Sequence, residues 1–64
     1  MSNLLAALLE KLRGEIAVAK ANIEVYEAHP AGIGEHPDLV QAIESQVEII
    51  AEAEDKIQVI NKYF

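Results

Sequence analysis

Apolar residues recur at alternating steps of four and three in two separate stretches of this chain. In the first, Leu5, Leu9, Leu12, Ile16, Ala19, Ile23 and Tyr26 keep the step without a break. In the second, Leu39, Ile43, Gln46, Ile50, Ala53, Ile57, Ile60 and Phe64 do the same, with one polar residue in the line. A seven-residue repeat keeps a single stripe on one side of an α-helix and marks a helix packed lengthwise against another. The pattern therefore predicts an all-α chain with one helix over about residues 3–28 and a second over about 37–63. Ser2 or Asn3 can cap the first helix by accepting a free backbone N–H. Pro30 disfavours helical geometry at His29, so that helix should stop near Ala28. Pro37 suits a first helical position, where its missing N–H is no loss; His36 is then the expected cap, with Asp38 beside the positive end of the dipole. Glu52 and Lys56 add a favourable pair one turn apart.

A connection over about residues 29–36 lies at the upper end of the usual range for adjacent helices, so the chain should fold back as an antiparallel hairpin. Matching the two stripes in that sense gives layers: Tyr26 with Leu39, Ile23 with Ile43, Ala19 with Gln46, Ile16 with Ile50, Leu12 with Ala53, Leu9 with Ile57 and Leu5 with Ile60. These residues are the expected core. The Ala19–Gln46 layer is the odd one. Polar residues in such seams can set the register, but the expectation here is that the Gln46 amide turns out to solvent.

Each helix carries more apolar surface than one partner can cover. Leu4, Val18 and Val25 form a second line on the first helix, flanked by small residues such as Ala21. On the second, Ala42, Ile49 and Tyr63 lie to one side of the seam and Val40 and Val47 to the other. Contiguous exposed apolar patches usually mark an interface. The expected second interface is thus Val18, Ala21, Val25, Val40, Val47 and Ile49. A homodimer forming a four-helix bundle is the simplest assembly that covers it.

Size and charge sharpen this picture. The chain is a single domain of 64 residues, and a core of that size rarely leaves more than about 3–5 kcal/mol of net stability. Without cysteine, neither disulfides nor thiolate metal sites can add to it, which leaves oligomerisation as the leading remedy. A net charge of −6, from 11 acidic and 5 basic residues, argues against nucleic acid and against anionic membranes as partners, because both need clustered cations. The longest apolar run, Leu4 to Leu9, is too short to span a bilayer and has no basic region before it, so no secretion signal is expected. At 52% apolar residues the chain is too hydrophobic for disorder.

Both histidines, both prolines and two of the three glycines fall between His29 and Pro37. Gly32 and Gly34 can adopt the positive φ that a tight reversal requires, and Ile33 between them is placed to plug the end of the core. The turn alone accounts for this cluster. The competing chemistry is a metal site from His29, Glu35, His36 and Asp38, whose imidazoles and carboxylates suit Zn²⁺ or a similar ion. Their spacing matches no compact signature, so no metal or other cofactor is expected. Gly32-Ile33-Gly34 lacks the lysine and third glycine of a phosphate loop. No Glu has a His three residues on, as a di-iron bundle requires. Ser2 and Ser45 are the only serine hydroxyls, and nothing pairs them with a base. The chain is therefore expected not to be an enzyme.

The stretch Ala19-Lys20-Ala21-Asn22-Ile23-Glu24-Val25-Tyr26, followed by Gly32-Ile33-Gly34-Glu35-His36-Pro37-Asp38-Leu39, resembles small uncharacterised helical proteins encoded by tailed bacteriophages, notably those of marine cyanobacteria. The likeness spans most of the chain and is most specific at the GIGEHPD segment. It implies a phage accessory protein acting in host cytoplasm or associated with the virion, and not secreted. It brings no known activity and no functional residue. The expected role is therefore protein–protein interaction by a self-associating hairpin. An unidentified host or phage protein is the alternative partner, with a metal-binding helical bundle behind it.

Overall fold

The computed structural model describes residues 1–28 and 36–64, and for residues 36 and 37 the backbone only. Within that span there are two helices, α1 (Asn3–Ala28) and α2 (His36–Tyr63), packed against each other. Residue numbers rise along α1 as they fall along α2: Leu9 and Leu12 share a cluster with Ala53 and Ile60, while Asn22 lies against Gln46. The helices are therefore antiparallel, in a hairpin 45 Å long and 15 by 12 Å across.

Local chemistry explains the ends. The N–H of Leu5 donates to Ser2 Oγ at 3.2 Å, and that of Ala6 to the Ser2 carbonyl at 2.9 Å. Ser2 is thus the N-cap of α1, satisfying donors that an uncapped helix leaves open. The second helix takes in His36, one residue ahead of the expected start at Pro37, a difference of one terminal hydrogen bond. Asp38 stands in its first turn and Lys62 in its last, each at the end of the dipole that favours its charge. Phe64 follows the end of α2, with its N–H donating to the Ile60 carbonyl at 3.0 Å.

The core is small. Leu9, Leu12, Ala19, Ala53 and Ile60 are the buried hydrophobic residues among those described, and Leu12 is the largest of them below 2% exposure. Leu5, Ile16 and Ile57 pack against this cluster. The remaining stripe positions, Ile23, Tyr26, Leu39, Ile43 and Ile50, are half-buried, as a seam with solvent on both sides requires. Ala19 and Ala53 are the small members of the buried set, and a small side chain lets a facing helix approach closely. Phe64 departs from the expected stripe, being 70% exposed. Its counterpart by register would be near residue 1, ahead of the first turn of α1, so no helix lies opposite it. Ile33 and the flanking glycines Gly32 and Gly34 lie outside the described residues.

Leu12→Ala removes the one large side chain that is fully enclosed, at a cost of about 2–5 kcal/mol for a buried Leu. The expected outcome is loss of most helical circular dichroism at 25 °C; retention of a cooperative thermal transition near the wild-type temperature would show that Leu12 is not the core residue described here. Gly14 behaves oppositely, since a Cβ built on it meets nothing within 4 Å. Gly14→Ala should therefore stabilise by about 0.5–1 kcal/mol through helix propensity, read as a raised thermal midpoint.

Candidate functional site

Because both helices have a 3.6-residue period, the positions just before each stripe residue lie on one flank of the hairpin and those just after on the other. Antiparallel pairing puts the preceding positions of both helices on the same side. The first flank carries Leu4, Leu8, Lys11, Glu15, Val18, Asn22 and Val25 from α1, with Asp38, Ala42, Ser45, Ile49, Glu52, Lys56, Val59 and Tyr63 from α2. The second carries Val40 and Val47 set among charged residues.

On the first flank a solvent-open groove of about 570 Å³ runs between the helices. Val18 and Ile49 form its walls, with the buried Ala19 below them and Gly14 and Glu15 towards the start of α1. Asn22 and Gln46 stand at the other end, where Asn22 Nδ2–H donates to Gln46 Oε1 at 3.0 Å in a half-buried setting. This corrects the expectation that Gln46 turns out to solvent. Its amide lies in the seam because Asn22, one turn on from Ala19, offers a donor across the helix pair. A bonded half-buried amide avoids the desolvation cost of an unbonded one, and no buried side-chain N or O lacks a partner among the described residues. Asn22 is the member that sequence reasoning missed. No spacing rule pairs it with Gln46, which stands 24 positions away in the sequence.

Around the groove the apolar side chains are open to water. Val18 is 62% exposed, Val25 55% and Ile49 42%; Leu4, Leu8, Val59 and Tyr63 at the chain-terminal end are exposed as well. Ala21 is exposed on α1, as are Val40 and Val47 on the second flank. The six residues expected as a second interface are thus all uncovered in the single chain but do not share a side: Val18, Val25 and Ile49 lie on the first flank, Val40 and Val47 on the second, and Ala21 on the outer face of α1. Leu8 and Val59 belong with them and were not singled out by pattern.

Between the groove and the terminal apolar end lies a belt of four charges. Lys11 Nζ contacts Glu15 Oε1 at 3.2 Å, and Lys56 Nζ contacts Glu52 Oε1 at 3.0 Å. The hydrogen bond from Lys56 to Glu52 and the charge of that carboxylate hold the Lys56 pKa above its usual value, and the negative charge of Glu15 on the other helix adds to this. The two pairs flank the same part of the seam, Lys11 and Glu15 beside Leu12 on α1, Glu52 and Lys56 beside Ala53 on α2. A third pair, Arg13 with Glu10 at 2.6 Å, lies on the opposite flank.

Of the residues considered as metal ligands, His29 and Glu35 lie outside the described residues, as does the side chain of His36. Asp38 is exposed at the start of α2. No group of three or more metal-ligating side chains occurs among the described residues. The loop part of the GIGEHPD segment likewise lies outside them. No described helix is long and apolar enough to cross a membrane. Comparison with protein-family models, curated proteins and solved structures gives no match.

The Asn22–Gln46 bond can be tested by a double-mutant cycle. Asn22→Ala and Gln46→Ala should each destabilise, with a coupling energy of about 0.5–1.5 kcal/mol by denaturant titration. Strictly additive effects would mean that the two amides do not bond in solution.

Proposed function

We propose that this chain is a non-enzymatic assembly module whose apolar flank is covered by a second copy, so that two hairpins form a four-helix bundle. The observation carrying this reading is the open groove itself: valine and isoleucine side chains about half exposed along the same flank as a seam that buries very little. Apolar surface removed from water contributes roughly 25 cal/mol per Å², and a domain with so few enclosed side chains has every reason to gain it by association. Facing helix pairs in bundles use the same seven-residue spacing that Leu4, Val18 and Val25 display. The acidic surface and the absence of cysteine both fit an interaction role better than catalysis.

A partner of different sequence could be served by the same flank, and dilution separates the two cases. Light scattering across a hundredfold range of concentration, with helicity followed alongside, is expected to give twice the 7.0 kDa chain mass with helicity unchanged. A monomer at the highest concentration overturns self-association; if it is also poorly helical, a host or phage protein that completes the fold becomes the better reading.

A further inference from the structure

The charge belt decides how two copies meet. We propose that the hairpins dock through the Val18–Ile49 flank as an antiparallel two-fold dimer, with the loop end of each copy pointing away from the other's and the Lys11, Glu15, Glu52 and Lys56 belts superposed. This rests on the self-association proposed above and adds the surface and the orientation.

Charge selects the flank. The second flank sets Val40 and Val47 among five carboxylates, Glu10, Glu24, Glu27, Glu44 and Glu54, against two cations, Arg13 and Lys20. Two copies meeting there would press like charges together. The first flank is neutral over the belt, because each of its two carboxylates is matched by a lysine. Asp38, at the loop end, lies beyond the overlap of the antiparallel arrangement.

Charge also selects the orientation. Along each helix the belt holds one cation and one anion a single turn apart. A two-fold axis across the hairpin, through the belt, reverses each helix over its own copy. Lys11 then lies over the partner copy's Glu15 and Lys56 over its Glu52, each twice by symmetry. An axis along the hairpin instead lays α1 over α2; with Leu12 opposite Ala53, Lys11 then stands between Lys56 and Glu52 and Glu15 beside Glu52, so the belts gain no complete set of opposite-charge pairs. Side chains that are 41–70% exposed are free to exchange an internal partner for an intermolecular one. Complementarity of this kind fixes register more than it adds affinity.

The apolar surface agrees. Reversal about the belt lays Leu8 over Val18 and Ile49 over Val59, with Leu4 reaching the Asn22 end of the groove. Water is then excluded from both sides of the belt at once, and the contact is isologous, closing at two copies.

Two experiments decide this, both on the full chain. Glu15→Lys reverses one charge per copy. Antiparallel docking then places lysine against Lys11, and the dimer should weaken about tenfold or more, with Lys11→Glu added in the same chain restoring it. Parallel docking predicts the opposite sign, since the new lysine would meet Glu52 and tighten the dimer. Cross-linking reads the geometry directly in a protein without native cysteine. A mixture of Leu8→Cys and Val18→Cys chains should give a disulfide-linked pair under mild oxidation. Within one chain those positions lie about 15 Å apart along a helix, too far to bridge. Linkage instead in a mixture of Val18→Cys and Ile49→Cys chains means parallel docking and overturns the proposal. A persistent dimer that links in neither mixture places the contact on another face and overturns it too, while leaving self-association intact. A chain that is monomeric throughout removes self-association itself.

Discussion

Two α-helices lying side by side can cover each other along one stripe only, because each presents a narrow strip of its circumference to its neighbour. The rest of this molecule follows from that limit. The stripe here runs through Leu9, Leu12, Ala53 and Ile60, and the facing positions are already matched in size. Residues one position to either side are left at the margin of the seam, half-buried like Asn22 and Ala42 or open to water like Leu4 and Val40. The same limit explains why Gln46 is tolerable at a stripe position. At the edge of a two-helix seam it reaches Asn22 without entering a dry interior, so a polar layer costs less than it would in the centre of a larger core.

A second consequence is that the two flanks have become chemically different. Alternation along each helix could have scattered charge evenly, yet one flank carries five carboxylates against two cations while the other carries the compensated lysine–glutamate pairs. Surface pairs of this kind contribute little to the stability of a single chain. Their arrangement carries information of another sort, about which side tolerates a second acidic molecule and in which direction. The groove walled by Val18 and Ile49, with Gly14 at its margin, lies on the tolerant side. Gly14, a residue that weakens α1, has open space above it and leaves that edge of the groove low.

Much of the fold was legible in the sequence because helix formation and pairing depend on spacing, and spacing is written along the chain. The four-three step gave the helices, Pro30 predicted the end of α1 at Ala28, Ser2 was one of two residues expected as its cap, and antiparallel matching put Leu12 opposite Ala53. Composition also showed that the apolar positions outnumber what one seam can cover. Other features depended on distances between residues remote in the sequence, which no spacing rule contains. The bond from Asn22 to Gln46 and the exposure of Leu8, Val59 and Phe64 are of this kind. Sequence determined which stripe each helix buries, because periodicity fixes direction around a helix axis; the tertiary structure decided what stands beside that stripe, because only the relative placement of the two helices brings their flanks together.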